Sequence, residues 1–152
     1  MSIITLTTDF GTKDHFVGAI KGTIYSELPN ARIVDISHQI SPFNITETAY
    51  ILKNAYKSFP EGSIHIIGVD SELSIENKHI ALYLDNHYFI CPDNGVISLL
   101  ASEIKPEKIV FEITESAVMN DPVPRIPEKW SPAFADFVEK CLIKDPTQRW
   151  TI

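Results

Sequence analysis

The beginning of the chain, MSIITLTTDFGTKDHFVGAIKG, predicts a β-strand that runs through an acidic turn into a helix. Residues 3–6 form a short apolar run typical of a buried parallel strand, and apolar side chains recur at helical spacing over residues 16–24. Asp9 and Asp14 lie between these two elements. Ligands of open α/β sheets bind outside the carboxyl ends of the strands, so both acids are predicted to lie where a polar small molecule would bind.

A carboxylate at such a strand end can serve either a ligand or the fold. It can accept hydrogen bonds from a vicinal diol, such as a ribose, or pair with an ammonium group. It can also cap the following helix or stabilise the turn, which is the commoner role of an isolated aspartate before a helix. The opening segment alone leaves both roles of Asp9 open.

The rest of the chain alternates predicted strands and helices. This alternation indicates an α/β fold with a central, largely parallel sheet flanked by helices and with a C-terminal helical tail. Two of the strands are joined by Asp85-Asn86, which predicts a β-hairpin. The predicted strands are residues 32–35, 63–69, 79–84, 87–91 and 108–113, and the predicted helices are residues 44–56, 96–100 and 132–143. The first of these helices begins with Asn-Ile-Thr-Glu, a start that resembles a capping box.

A change of charge and a proline-rich stretch divide the chain. The formal net charge of −7 falls on residues 1–118, whereas the remaining residues carry five basic and five acidic side chains. Residues 120–127 contain three prolines and cannot continue a helix or a central strand. We therefore predict an α/β domain over residues 1–116, a linker over residues 117–130 and a helical tail over residues 131–152.

Composition argues against several classes of partner. The acidic chain lacks the clustered Lys and Arg of a phosphate-binding surface, so no nucleic acid is expected. No apolar run approaches the roughly 20 residues that span a bilayer, and no signal-peptide pattern is present, so we expect a cytoplasmic protein without a membrane partner. Cys91 and Cys141 lie far apart and no histidine pair has metal-ligand spacing, so neither a disulfide framework nor a metal site is expected.

Three blocks of sequence resemble a known family. They are TLTTDFGTKDHFVGAIKG, ARIVDISHQISPFNITETAYILKNAYKSFPEGSIHIIGVD and HYFICPDNGVISLL, and the resemblance that they carry covers residues 1 to about 116. In this order they resemble the N-terminal domain of the S-adenosylmethionine (SAM) hydrolases, or SAM hydroxide adenosyltransferases, and of the related SAM-dependent chlorinases and fluorinases. The resemblance implies attack of water or halide on C5′ of SAM, with methionine as the leaving group, so SAM is a substrate and no cofactor is expected.

The same resemblance implies roles for individual residues. Asp9 would hold the ribose hydroxyls, Asp14 would meet the methionine amine and Phe43 would line the ribose pocket. From the residues alone, an aromatic side chain beside a helix start is more often part of the core or of a hydrophobic staple. The ligand implied for these three positions is SAM or adenosine.

A second set of residues concerns catalysis and the far side of the pocket. Asp70 matches the acid of the hydrolases' water-activating Asp-Arg-His set and is therefore the predicted catalytic residue. The arginine of that set has no counterpart here, and Lys78 or His79 could supply positive charge or accept a proton instead. Asp93 and Asn94 resemble the family's pocket-side turn, although Asp-Asn-Gly is also ordinary turn chemistry.

The family's catalytic histidine and its C-terminal barrel, which completes the SAM pocket in a trimer, have no counterpart in these 152 residues. We therefore expect weak or lost activity and a possible homo-oligomer. The alternatives are a non-catalytic nucleoside-binding module and a truncated or fused chain with a structural role. Residues from about 120 to 152 resemble the end of a Ste20-like protein kinase domain, but the kinase catalytic motifs are missing, so no kinase activity is expected.

The histidines are predicted to support the fold rather than the chemistry. His38, in Asp-Ile-Ser-His, is expected to make a structural hydrogen bond. His65 alternates with isoleucines and is expected on one face of a strand. His15 and His87 are expected at the surface or rim.

Overall fold

The computed structural model describes residues 3–72 and 78–101 and, as backbone, the strand at Lys108–Ile113. These residues form six strands, three α-helices and one short 3₁₀ helix. In chain order the elements are β1 (Ile3–Thr8), α1 (Phe16–Glu27), β2 (Arg32–Ser37), α2 (Ile45–Ala55), the 3₁₀ helix (Tyr56–Ser58), β3 (Ile64–Gly68), β4 (His79–Leu84), β5 (His87–Pro92), α3 (Val96–Ala101) and β6 (Lys108–Ile113).

The strands form one sheet in the order β2-β1-β3-β5-β4-β6. The pairs β1–β2, β1–β3 and β3–β5 are parallel, whereas β4 is antiparallel to both β5 and β6. Five strands therefore run in one direction and β4 opposes them. This confirms the predicted α/β fold with a largely parallel sheet.

Helices cover both faces of the sheet. On one face, Ile24 of α1 packs with Ile4 and its neighbours on β1 and β3. On the other face, Leu52 of α2 and Leu100 of α3 pack with Phe89 of β5. Because both faces are covered, the central strands are buried along their length and read as nearly continuous apolar runs.

The predicted hairpin is present between β4 and β5. Asp85 and Asn86 both have positive φ, 52° and 61°, as a two-residue type I′ turn requires. The Asp85 carboxylate accepts a hydrogen bond from the Tyr56 hydroxyl at 2.9 Å and pairs with Lys57 at 3.0 Å. This turn lies at the edge where β5 begins, which is opposite to the edge where the parallel strands end.

A buried polar chain crosses the sheet and corrects one prediction. His87 is only 4% exposed, not at the surface or rim, because β5 is buried throughout. Its Nδ1 lies 3.0 Å from Nε2 of His65, whose Nδ1 lies 2.7 Å from the Thr5 hydroxyl. Desolvation lowers the pKa of His65 to about 3 and also lowers the pKa of His87, so the neutral form of each ring is favoured. His65 lies on a strand as predicted, and His15 is exposed as predicted.

The remaining predictions concern the C-terminal part of the chain, the two cysteines and membrane spans. The linker, the helical tail and Cys141 lie outside the described residues, so the predicted domain boundaries stay predictions. Cys91 is a buried free thiol whose pKa is raised by desolvation. Among the described helices, none is long and apolar enough to cross a membrane.

Candidate functional site

The carboxyl ends of β1 and β3 bring two predicted site residues together. Asp9 directly follows β1 and Asp70 follows β3, its parallel neighbour. Oδ2 of Asp9 accepts a hydrogen bond from the Phe43 backbone N–H at 3.0 Å and a longer one from the Asp70 backbone N–H at 3.5 Å. The Asp9 carboxylate therefore joins three separate segments, and it does not cap α1.

Hydrogen bonds orient the Asp9 carboxylate through only one of its two oxygens. Both of its hydrogen bonds are accepted by Oδ2, and Oδ1 accepts none from the described part of the chain. No salt bridge links Asp9 to a basic side chain within that same part. The side chain is half-buried, so Oδ1 is held in a defined direction at the edge of the sheet.

Phe43 and Asp70 both lie in the left-handed backbone region, which is costly for a phenylalanine and tolerated by an aspartate. Phe43 has φ of 61° and Asp70 has φ of 49°, in the left-handed region that favours glycine. Phe43 is 72% exposed, so the interpretation of this ring as core or staple is wrong. Left-handed residues held by surrounding hydrogen bonds are enriched at ligand sites.

The loop that presents Phe43 is fixed by the start of α2. Asn44 is the N-cap, and its side chain accepts the N–H of Glu47 at 3.0 Å. The Glu47 carboxylate in turn accepts the Ser41 N–H at 3.0 Å. These two bonds form a variant of the capping box, predicted by Asn-Ile-Thr-Glu, and they hold the segment before α2 from both ends.

Asp14 lies at the start of α1 and is exposed. Its Oδ1 accepts the N–H of Phe16, the first residue of the helix, at 3.1 Å. Asp14 therefore makes the kind of contact at the helix start that the sequence left open for Asp9. No described contact joins Asp14 to Asp9 or Asp70.

The turn after β5 also reaches the edge where Asp70 lies. The Asn94 side chain donates to the Val69 carbonyl at 3.1 Å and accepts the Val96 N–H at 3.2 Å. Asn94 thus ties the start of α3 to the residue before Asp70. Asp93 is exposed, and its N–H donates to the Lys78 carbonyl at 2.6 Å.

The loop between β1 and α1 is closely packed around Asp9. The Asp9 N–H lies 3.5 Å from the Gly68 carbonyl, and a Cβ on Gly68 would lie 3.2 Å from Cγ2 of Thr8 and 3.4 Å from Cζ of Phe10. Gly11 has φ of 72°, and its N–H donates to the His38 carbonyl at 2.7 Å. Glycine at position 68 permits this close approach of the two segments, and glycine at position 11 permits the positive φ.

His38, for which the sequence predicted a structural hydrogen bond, contacts the residue that precedes Asp9. It is 5% exposed, and its Nδ1 lies 2.8 Å from the Thr8 hydroxyl. Its Nε2 lies 3.1 Å from Asp35, close enough for an ion pair but without hydrogen-bond alignment. Burial opposes ionisation of Asp35, but Lys21 at 2.5 Å and His38 outweigh it and lower the pKa of that carboxyl.

His79 and Lys78, the two residues that could replace the family's arginine, make different contacts. Nε2 of His79 lies 2.8 Å from the Ser71 carbonyl, so this nitrogen carries a proton and does not accept one. Lys78 contacts the turn after β5 through its backbone, since its carbonyl accepts the Asp93 N–H. In the parts of the chain that are described, no group of three His, Cys, Asp or Glu residues could hold a metal ion.

Comparison with known sequences points to one family over most of the chain. The model of the SAM hydroxide adenosyltransferase N-terminal domain matches residues 4–135. An (R)-S-adenosyl-L-methionine hydrolase of Methanocaldococcus jannaschii is 41% identical over 115 residues, which cover 72% of this chain and 43% of the relative. Other relatives are named fluorinase. The chain spans about half the length of the curated relatives it matches.

A kinase also matches, at lower similarity. Mitogen-activated protein kinase kinase kinase 20 of Arabidopsis thaliana is 29% identical over 119 residues, covering 61% of this chain and 35% of the kinase. The segment predicted to resemble a kinase lies outside the described residues. This match covers less of the chain than the family model does.

Solved structures agree with the family match. An uncharacterized conserved protein from Thermotoga maritima is 31% identical, with a TM-score of 0.70 over 90% of this chain and 53% of that one. A conserved hypothetical protein from Thermus thermophilus has a TM-score of 0.63 at 27% identity, over 72% of this chain and 46% of that one. With family model, relatives and fold in agreement, this chain belongs to the SAM hydroxide adenosyltransferase family, whose N-terminal domain it carries.

Proposed function

We propose that this chain binds the adenosine part of SAM through the ribose, with Asp9 as the main polar contact. The observation that carries the proposal is the hydrogen bonding of the Asp9 carboxylate. Two backbone amides from other segments orient it through Oδ2, while Oδ1 remains available to ribose hydroxyls. An acceptor oriented before the ligand arrives loses little side-chain freedom on binding.

Phe43 supplies the apolar part of the proposed contact. Its backbone N–H is bound to Asp9, and its ring is 72% exposed at the same edge. A ribose or an adjoining base that packs on this ring would remove apolar surface from water. The proposal assigns the left-handed backbone of Phe43 to keeping the amide on Asp9 and the ring beside it.

Charge also favours SAM as the ligand. Asp9 and Asp70 meet at one edge, and no salt bridge neutralises Asp9 within the described residues. A sulfonium is cationic, so carboxylates favour it electrostatically. The predicted contact of Asp14 with the methionine amine is also part of this proposal, and the exposure of Asp14 is compatible with it.

The proposed reaction is hydrolytic substitution at C5′. The oxygen of water forms a bond to C5′, the C5′–S bond breaks with its electron pair on sulfur, and one water proton passes to Asp70 or to solvent. Methionine leaves as a neutral thioether, so orientation of the reactants matters more than acid catalysis. Asp70 is the proposed water-orienting group because it adjoins Asp9, which would hold the sugar.

A non-catalytic nucleoside-binding module is the second candidate. The observation that favours it is the His79 contact with the Ser71 carbonyl, which occupies Nε2 of a ring that the sequence offered as a proton acceptor. In this candidate, Asp9 and Phe43 still hold the nucleoside, but SAM is not cleaved. A homo-oligomer and a cytoplasmic location stay predictions for both candidates.

Calorimetry and product analysis separate these candidates. We expect adenosine and SAM to bind the unchanged chain, and Asp9→Asn to weaken both by at least about tenfold, because a charged acceptor is lost. The matched control is Asp85→Asn, a partly exposed carboxylate at the opposite edge whose φ asparagine tolerates. Chromatographic detection of released adenosine would identify an enzyme. Equal affinities for Asp9→Asn and Asp85→Asn would refute the ribose contact.

A further inference from the structure

One residue contacts the chain on both sides of Asp9. The His38 side chain lies 2.8 Å from the Thr8 hydroxyl, and the His38 carbonyl accepts the Gly11 N–H at 2.7 Å. Asp9 and Phe10 therefore lie on a short loop held at each end by the same residue. We propose that His38 is a positioning residue that sets the direction of the Asp9 carboxylate. This inference rests on the proposed function of Asp9.

The hydrogen-bond roles around His38 form one consistent set. The neighbouring Asp35 carboxylate only accepts, so the proton of a neutral His38 ring belongs on Nε2. Nδ1 is then an acceptor and takes the Thr8 hydroxyl proton. The Thr8 oxygen in turn accepts the Phe10 N–H at 3.4 Å. The Thr8 hydroxyl proton and the Phe10 N–H proton each have a defined acceptor, and this series of contacts ends on the residue next to Asp9.

Burial restricts the alternatives open to this arrangement. Thr8 is 1% exposed and His38 is 5% exposed, so neither side chain can exchange its partner for bulk water. The charged groups that face the ring are on the surface side, where Asp35 lies 3.1 Å from Nε2 and is itself paired with Lys21. Loss of the Thr8 contact would leave a buried acceptor unpaired, and the loop would have to move to satisfy it.

The same strand offers a matched control. Thr5 of β1 is fully buried and lies 2.7 Å from Nδ1 of His65, so it repeats the Thr–His pairing three residues earlier. The Thr5 contact continues to His87 inside the sheet and touches no part of the loop around Asp9. Thr5→Val and Thr8→Val therefore remove the same kind of buried bond, but only Thr8→Val removes one that holds Asp9.

The first test needs no ligand. The amide proton of Phe43 reports on Asp9 because it is donated to Oδ2. We expect its hydrogen exchange in the folded protein to be about tenfold faster in Thr8→Val, with little change in Thr5→Val, because local opening and not global stability is altered. Equal rates in both variants, after correction for their unfolding free energies, would overturn the positioning role.

The second test measures adenosine affinity by calorimetry. We expect Thr8→Val and His38→Leu each to weaken adenosine binding by about tenfold, and Thr5→Val to change it by less than about twofold. The double variant Thr8→Val/His38→Leu should bind no more weakly than either of its single variants. His38→Asn keeps a polar group near Nδ1 and should recover most of the affinity. Additive losses would show that His38 does not act through Thr8.

The two tests also separate this inference from the proposed function. If the unchanged chain binds neither adenosine nor SAM, the proposed function fails, whereas the exchange rate of the Phe43 amide still decides whether His38 holds Asp9. If the unchanged chain binds adenosine and only Asp9→Asn weakens it, the proposed function stands and the positioning role is rejected. Should Thr8→Val fail to fold, the pair His38→Leu and His38→Asn answers the same question.

Discussion

The Asp70 backbone N–H lies 3.5 Å from Oδ2 of Asp9, although the two residues are 61 positions apart in the sequence. The contact exists because β1 and β3 are parallel neighbours that end at the same edge. Asp70 thereby meets Asp9 through its backbone and not through its carboxylate. The two acids can be separated experimentally, since only the side chain of Asp70 is removed by substitution.

Replacement of Asp70 by asparagine should separate binding from chemistry. Asp70→Asn retains the backbone N–H, and asparagine tolerates the φ of 49°, so we expect the Kd for adenosine to change by less than about twofold. Release of adenosine from SAM should fall by at least about a hundredfold if the carboxylate orients water. Chromatography measures the release. An unchanged rate would remove Asp70 from the proposed mechanism.

Replacement of Phe43 by glycine should raise stability while it lowers affinity. The ring is 72% exposed and the backbone has φ of 61°, so glycine relieves strain of about 1 kcal/mol at little packing cost. Adenosine binding should weaken because the apolar contact is lost. Tyr50→Gly is the control, since Tyr50 is 71% exposed within α2 and glycine there should cost about 1 kcal/mol. A fall in the melting temperature of Phe43→Gly would contradict the strain.

Replacement of Gly68 by alanine should disturb the loop that carries Asp9. The new Cβ would lie 3.2 Å from Cγ2 of Thr8 and 3.4 Å from Cζ of Phe10, so the loop must shift by a few tenths of an ångström. We expect a loss of about 1–2 kcal/mol in the free energy of unfolding, together with weaker adenosine binding. Gly22→Ala, in open space on α1, should instead stabilise by about 0.5–1 kcal/mol. Denaturant titration of both variants checks this, and a stabilised Gly68→Ala would count against the close packing.

Stability should fall as the pH is lowered below about 6.5. The pKa of His65 is about 3 in the folded protein against 6.5 unfolded, so between these values the unfolded chain binds more protons. The contribution of the neutral ring is complete above pH 6.5 and is lost progressively as the pH falls toward 3. His87, whose pKa is also lowered, steepens the loss. Unfolding free energies measured at pH 7, 6 and 5 should give a smaller slope for His65→Gln than for the unchanged chain, and equal slopes would contradict the assignment.

The fold could be predicted from the sequence where the signal is local. The β1 segment, the Asp85-Asn86 turn and the cap at Asn44 depend on residues within a few positions of one another, and all three are present as predicted. The burial of His87 could not be predicted in this way. Its strand is covered on both faces, so alternation of polar and apolar residues no longer reports which side chains are buried.

The candidate site could be predicted in position but not in detail. The rule that ligands bind at strand ends placed Asp9 and Asp70 at one edge. The partner that fixes Asp9, the N–H of Phe43, lies 34 positions away and depends on a left-handed backbone that no sequence pattern around a phenylalanine indicates. The structural hydrogen bond predicted for His38 is present, but its partner Thr8 lies 30 positions away and could not be identified from the sequence. The Asp-x-x-His spacing of Asp35 and His38 indicated the contact between these two residues but not the one with Thr8.

Among the described residues, four other than glycine have positive φ, and they divide evenly between two ends of the molecule. Asp85 and Asn86 suit a hairpin turn, and Asp70 is of a type that tolerates this region, whereas Phe43 opposes its own backbone preference at the edge near Asp9. Selection for thermal tolerance alone would exchange Phe43 for glycine or asparagine. We therefore expect a laboratory screen for hardier variants to drift at Phe43 first and to lose nucleoside recognition as it does.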